Sequence, residues 1–449
     1  MSKPFLRVLP PEKVWELFRI FQALPAENVS LEQSLNRVLA ETFKAGDDLP
    51  PFNRSTMDGF AVRAADTFGA TETLPGFFTI IGEVLMGEMP TVTLGKGEAV
   101  RISTGGALPV EADAVVMIEH TQELDSRTVE VLKAVAPYEN VVRKGEDLTI
   151  GQSLLSKGHR MRPQDIGLLA AMGMTNVKVH RTPRLGIISS GDEIVPVEME
   201  PPPGCMRDVN RFTLGAMARN AYADPVWIGM ATDSLESVSE LIRLGLESCD
   251  AVLISGGSSM GTRDLVIAVL EELPDSKILV HGVSISPGKP LIVAEVGNKT
   301  VFGLPGHPIS AMVSFEQFVV PLIRRLAGED AVHPFLAPTI TANLGRNIPS
   351  KEGRTDFVRV RLENRNGRIV AAPVLGKSGM ISSMVRAHGV AVIGNDCEGL
   401  YKGDLITVHL FANWIGEAIE KEHLFGYEAS GRGSRDISKP PQHEHLSGS

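Results

Sequence analysis

The period of the apolar positions changes several times along the chain. Val14, Leu17, Phe18, Phe21 and Leu24 recur at helical spacing after Pro10-Pro11. Ser30 and Gln33 read as a capping box for a second helix carrying Leu31, Leu35, Val38 and Leu39. From 75 to 145 the pattern shortens to β runs between glycines: Phe78 to Ile81, Ala99 to Ile102, Ala114 to Ile118 and Val129 to Val135. Residues 146–180 return to the first style. Pro163 suits the first turn of a helix through Ile166, Leu168, Leu169 and Ala170, ended by Gly173. This segment is expected to rejoin the N-terminal helices, which makes the β block an insertion.

Residues 183–327 alternate regularly. Strands are predicted at Leu185–Ser189, Pro225–Ile228, Ala251–Ile254, Ile278–Val280, Leu291–Ala294 and Val301–Phe302. Helices are predicted at Arg211–Ala221, Leu235–Leu246, Leu265–Leu270 and Ile309–Leu326. Such alternation favours a three-layer α/β/α domain with parallel strands, whose ligands sit beyond the carboxyl ends of the strands. Residues 336–412 are β again, with Phe357, Val358, Val360 and Leu362 alternating around Arg359 and Arg361. The expected fold is therefore multidomain α/β and β. A mixed helical N-terminal domain (1–50 and 146–180) carries a mainly β insertion (51–145). An α/β domain (181–328) and a C-terminal β-barrel-like domain (329–425) follow, and 426–449 form a flexible polar tail. His443 and His445 in that tail are read as part of an unstructured end rather than as a metal site.

Composition narrows the function classes. The 449 residues carry a net charge of −10 with a pI near 5.6, which argues against nucleic-acid binding but leaves small anions open. No apolar run is long enough to span a bilayer, and the N-terminus lacks a signal-peptide core. Cys205, Cys249 and Cys397 are far apart and suit a reducing compartment, so a cytoplasmic protein is expected.

The candidate chemistry lies in loops at strand ends. Ser255, Gly256, Gly257 and Ser258 follow the apolar run Ala251–Ile254, and Asp264 precedes the next helix. Strand, glycine loop and helix start form a common anion-binding arrangement; a tight turn that binds nothing has the same signature. Ser190, Gly191 and Glu193 follow the first strand. Ser286-Pro287-Gly288-Lys289 and Pro305-Gly306-His307-Pro308 come later. Amide and hydroxyl donors with Lys289 suit phosphate oxygens. Glu193, Asp233 and Asp264 suit a hard cation such as Mg²⁺, though each acid could equally cap a helix. Asp58 and Thr104 lie in the β block, where turn chemistry alone accounts for them.

Taken together, these pieces resemble the MoeA family. Pro51-Phe52-Asn53-Arg54-Ser55-Thr56-Met57-Asp58-Gly59-Phe60-Ala61-Val62-Arg63 is similar to its signature. So are Ser103-Thr104-Gly105-Gly106, Ser190-Gly191-Asp192-Glu193, Ser255-Gly256-Gly257-Ser258, Pro287-Gly288-Lys289-Pro290 and Leu304-Pro305-Gly306-His307-Pro308. The family comprises molybdopterin molybdotransferases and includes the gephyrin E domain. The resemblance implies insertion of molybdate into adenylylated molybdopterin with release of AMP, a divalent cation, usually Mg²⁺, and an elongated four-domain homodimer. It also implies an α/β domain like that of the MogA-type adenylyltransferases, which would act upstream as a partner. Carried over residue by residue, the cleft acids are Asp58, Asp147, Glu193, Asp233 and Asp264. Thr104, Ser190, Asn210, Gly256, Gly257, Lys289, Pro305 and Pro308 line or shape the cleft. Membership further implies that Asp58 and Thr104 reach the site from the other subunit. Two positions depart from the pattern: many relatives have Asn at His307 and Lys at Ser286, and Arg263 is a candidate to compensate the missing charge. The competing readings are a tungstate-inserting paralogue and a non-catalytic molybdopterin-binding scaffold of the same fold.

Overall fold

Along the strand Arg184–Ser190 (β1) successive side chains go to opposite faces of a sheet. In the computed structural model, which describes residues 8–256, 260–330 and 338–411, Leu185 and Ile187 enter one apolar cluster and Ile188 enters another. The same division recurs in Ala251–Gly256 (β3), where Ala251 and Leu253 face one way and Val252 and Ile254 the other. A strand apolar on both faces needs cover on both. Asn210–Asn220 (α1) and Pro308–Ser314 (α4) cover one side; Leu235–Ser248 (α2) and Met260–Glu272 (α3) cover the other. The remaining strands are Asp224–Ala231 (β2), Ser276–His281 (β4), Ile292–Val296 (β5) and Lys299–Pro305 (β6), in the order β2-β1-β3-β6-β5-β4. The three-layer α/β/α domain is therefore present.

One expectation is corrected. The sheet is not all parallel, because β5 runs antiparallel to both neighbours. Val296 pairs with Lys299 across the two-residue turn Gly297-Asn298, with Gly297 at a φ of 58°, so β5 and β6 form a hairpin. The reversal places the start of β5, and the loop before it, at the edge where the parallel strands end.

The second N-terminal helix is also absent. Only one 3₁₀ turn forms, at Leu31–Gln33, and Ser30 makes no side-chain capping bond. Asn36 takes a φ of 63°, which interrupts any helix, and Val38 and Leu39 instead bridge Arg160 and Val179. The strand Ala26–Ser30 pairs antiparallel with Asn176–His180, and Phe43–Lys44 pairs with Ser153–Leu155. Leu31, Leu39, Leu155, Met161, Leu169 and Val179 share a core. The helix Pro163–Ala171 forms with proline in its first turn, and Gly173 follows at a φ of 72°. Between the two halves, a six-stranded sheet holds its own core around Phe60, Phe78 and Val116.

The C-terminal strands Thr339–Leu344 (β7), Thr355–Arg365 (β8), Arg368–Pro373 (β9), Gly389–Ile393 (β10) and Leu405–Leu410 (β11) close into a barrel, β8-β9-β7-β11-β10, with β10 returning to β8. Among the described residues, no helix is long and apolar enough to cross a membrane. Gly257, Ser258, His443 and His445 lie outside the described residues.

Candidate functional site

Register brings three loops together. Ser190 at the end of β1 pairs with Gly256 at the end of β3, and Gly256 pairs with Pro305 at the end of β6. On the other side of β1, Ser190 pairs with Ala231, and Thr232 and Asp233 follow. The loop of residues 282–291, which carries Lys289, enters β5 at the same edge, where Ile292 pairs with Gly303. Glycine is required at two points, by close approach of backbone at Gly256 and by a positive φ at Gly191. A Cβ on Gly256 would lie 2.2 Å from the Ser190 carbonyl oxygen. One on Gly191 would lie 2.6 Å from Glu193 Oε2, at a φ of 139°.

The edge is rich in buried polar atoms that lack partners. Ser189 Oγ, Ser190 Oγ, Ser255 Oγ, Asp208 Oδ2 and Asn210 Oδ1 have no hydrogen-bond partner among the described residues. Asn210 Nδ2 donates to the Gly306 carbonyl at 2.9 Å, which ties the start of α1 to the loop after β6. Buried polar groups are ordinarily satisfied, so a group of orphans at one edge points to a ligand or to water.

The acids are more dispersed than the orphans. Glu193 is half-buried, and Asp233 and Asp264 are exposed. The Asp233 N–H donates to Asp192 Oδ1 at 3.1 Å. No group of three or more His, Cys, Asp or Glu among the described residues is placed to hold a metal. Glu193 and Asp233 follow strands at this edge, and Asp264 lies early in α3.

The barrel is stitched to this edge. Ile285–Ser286 adds to β8 as a sixth, parallel strand, pairing with Thr355 and Asp356. The Ile309 N–H donates to the Ser378 carbonyl, and Ser378 Oγ lies 3.0 Å from His307 Nδ1. His307 precedes α4 without capping it; its side chain joins the barrel loop instead. Pro308 opens α4, and Pro305 is buried at the end of β6. Between the two seams lies a cavity of about 330 Å³, lined by Ser286, Pro287, Arg359, Gly376 and Ser378 among others.

Arg359, only 8% exposed, is the cation of that cavity. Its Nη2 donates to the Gly376 carbonyl at 2.9 Å, and its Nε has no partner among the described residues. Burial pushes the guanidinium below its usual value. Asp356 lines the same cavity but is already engaged, by Arg354 at 2.9 Å and by Ser350 Oγ at 2.7 Å.

Asp58 and Thr104 meet in the β insertion. The Thr104 N–H and hydroxyl both donate to Asp58 Oδ1, at 2.6 and 3.0 Å. Those bonds, the backbone one first, hold the Asp58 carboxyl below its ordinary value. The pair is exposed beside apolar side chains that are exposed too. Ile118, whose N–H donates to the Asp58 carbonyl, is 55% exposed, and Met86, next to Gly105, is 66% exposed. Asp147 is exposed where the insertion joins the N-terminal region, and its N–H donates to the Leu49 carbonyl.

The alternation around Arg359 was legible, but the burial of its face was not. Val358, Val360 and Leu362 fill the barrel, while Phe357, on the opposite face with Arg359, packs into the core of the α/β domain. The signal was an apolar residue on each face of one strand. Asp208 went unremarked because an acid before a helix looks like a cap; one of its oxygens does cap, and the other is buried without a partner among the described residues.

Three family models match the chain: the MoeA N-terminal region (domain I and II) over residues 9–173, the "Probable molybdopterin binding domain" over 186–325, and the MoeA C-terminal region (domain IV) over 341–411. The chain is 34% identical to a molybdopterin molybdenumtransferase of Bacillus subtilis over 388 residues, covering 86% of this chain and 89% of that one. It is 32% identical to one from Staphylococcus aureus over 403 residues, covering 90% and 94%. A crystal structure of a molybdopterin biosynthesis MoeA protein from Pyrococcus horikoshii superposes with a TM-score of 0.76 at 38% identity, covering 91% of this chain and all of that one.

Proposed function

The chain belongs to the MoeA family, and from that premise we propose that it is a molybdopterin molybdenumtransferase. It would insert molybdate into adenylylated molybdopterin and release AMP. The observation that carries this reading is the pairing of two unlike features at one sheet edge. One is a glycine and serine crevice at the ends of β1, β3 and β6; the other is a buried guanidinium at the barrel seam without an acid partner among the described residues.

The crevice suits a nucleotide-tagged phosphate. Ser190, Gly191, Ser255 and Gly256 bring hydroxyl and backbone groups close, Gly257 and Ser258 continue the loop in sequence, and Lys289 adds charge. The cavity at Arg359 suits a small tetrahedral dianion: a buried guanidinium whose Nε has no partner among the described residues forms part of its wall. Held in neighbouring pockets, the two substrates react by placement. Water cleaves the phosphoanhydride and AMP leaves; the two dithiolene sulfurs would bond the metal as one molybdate oxide departs as water with their two protons.

Glu193, Asp233 and Asp264 do not form a three-acid metal site among the described residues, so Mg²⁺ held by one or two of them would complete its shell with water and substrate phosphate, as it commonly does. When bound, it supplies charge neutralisation at the anhydride. The Asp58–Thr104 pair, exposed and rimmed by Met86 and Ile118, is placed in this reading at the cleft of a second copy. A cytoplasmic homodimer acting after a MogA-type adenylyltransferase follows from the same reading.

The test is AMP release from adenylylated molybdopterin, measured with and without molybdate and Mg²⁺. Release that depends on both supports the assignment. Failure of the purified full chain to release AMP or transfer metal under any of these conditions overturns it in favour of a binding scaffold.

A further inference from the structure

Asp208 and Asn210 form a corner that the phosphate and oxyanion pockets do not use. Asp208 is 3% exposed and Asn210 5%. The Asp208 N–H donates to the Val195 carbonyl, just beyond β1 and Glu193. Its Oδ1 accepts from the Arg211 N–H at 3.1 Å, capping α1, which leaves Oδ2 unpartnered among the described residues. The Asn210 amide is oriented by chemistry. Gly306 offers it a carbonyl, so the NH₂ must face that way and Oδ1 must face away. Oδ1 too is buried without a described partner. Gly306 follows Pro305, whose register partner is Gly256, so this corner borders the crevice.

Two buried acceptors, one of them anionic, repel phosphate and molybdate alike. They call for a partner with donors. A planar ring with adjacent N–H groups supplies one donor to each acceptor. Adenine is a poor match, since its pairing edge presents a donor beside an acceptor. The ring amino group and neighbouring ring N–H of a pterin present two donors side by side.

We propose that Asp208 Oδ2 and Asn210 Oδ1 recognise the amino-bearing edge of the pterin ring, and so set which end of the substrate enters the crevice. This rests on the function proposed above. It adds the polarity of binding: pterin towards the start of α1, nucleotide phosphate towards Gly256.

The experiment titrates the full-length protein with pterin, with lumazine (in which an oxygen replaces the ring amino group) and with AMP, following pterin fluorescence or calorimetric heat. Wild type should bind pterin about tenfold tighter than lumazine, the difference of one hydrogen bond to a charged acceptor. Asp208→Asn and Asp208→Ser should each abolish that preference and leave AMP affinity unchanged. Both keep an oxygen to cap α1, and equal melting temperatures would verify the fold. Equal binding of pterin and lumazine by wild type, with AMP still bound, overturns this inference alone. So does loss of Mg²⁺ binding in Asp208→Asn with the pterin preference intact, which would make the corner a cation site. If wild type binds neither AMP nor pterin, the function proposed above falls with it.

Discussion

Replacing Arg359 with methionine separates a binding role from a structural one, because the two predict opposite signs. A buried guanidinium without an acid partner among the described residues carries a desolvation cost of several kcal/mol. Methionine fills a similar volume without charge. Against that gain stands the Gly376 carbonyl, which loses its donor at a cost of about 1–3 kcal/mol. The net expectation is an unchanged or raised melting temperature. Molybdate binding should move the other way. Charge-assisted hydrogen bonds contribute about 1.5–3 kcal/mol, so the KM for molybdate should rise roughly tenfold to a hundredfold. Arg359→Lys should fall between, keeping the charge and losing the planar fork. The assays are AMP release against molybdate concentration, and melting curves with and without molybdate. Wild type should gain melting temperature from the oxyanion and Arg359→Met should not. A destabilised Arg359→Met with an unchanged molybdate KM would refute the reasoning.

Other predictions follow from single contacts. Gly256→Ala should cost about 1–3 kcal/mol in urea unfolding and abolish AMP binding, because its Cβ would sit 2.2 Å from the Ser190 carbonyl. Gly82→Ala, with nothing within 4 Å of its Cβ, is the control, and equal effects would sink the argument. Asp58→Asn should abolish metal insertion with the fold intact. Thr104→Val removes one of the two bonds that keep the Asp58 carboxyl low, so the acid limb of the activity profile should move to higher pH while kcat falls less than about tenfold; an unmoved limb contradicts this. Burial, then Arg361, hold His388 below its ordinary 6.5, while its Nδ1 accepts from the Leu362 N–H. The unfolded chain therefore takes up that proton first, so stability should be full above 6.5 and decline as pH falls from there towards the lowered folded value. His388→Asn, which retains an acceptor for Leu362, should flatten this part of the urea midpoint profile, and an unchanged slope would exclude His388 as its source.

How much of this was legible depends on whether a feature has a period. The strands of the α/β domain were readable because Leu185, Ile187, Leu253 and Ile254 repeat a pattern that burial on two faces imposes. The segment 30–39 misled because Leu31 and Leu39 are buried by a two-stranded ribbon that admits helix-like spacing, while Leu35 is left 46% exposed. The proposed site draws on three bodies: Asp58 in the insertion, Asp208 and Glu193 in the α/β domain, and Arg359 in the barrel. Each body has its own periodic core, and the joints between them combine isolated apolar contacts such as Phe357 with bridges of one or two residues. Leu49 meets Leu148, Ser286 meets Asp356, and His307 meets Ser378. Contacts that short have no period, so no hydrophobic pattern announces them. Yet they decide that the outer face of β8 is covered rather than wet, and thereby turn Arg359 from a surface charge into a buried cation facing a cavity. Loosening one joint, as Ser378→Pro would by breaking the local loop geometry, should therefore weaken molybdate binding without altering any residue that lines the crevice at Gly256.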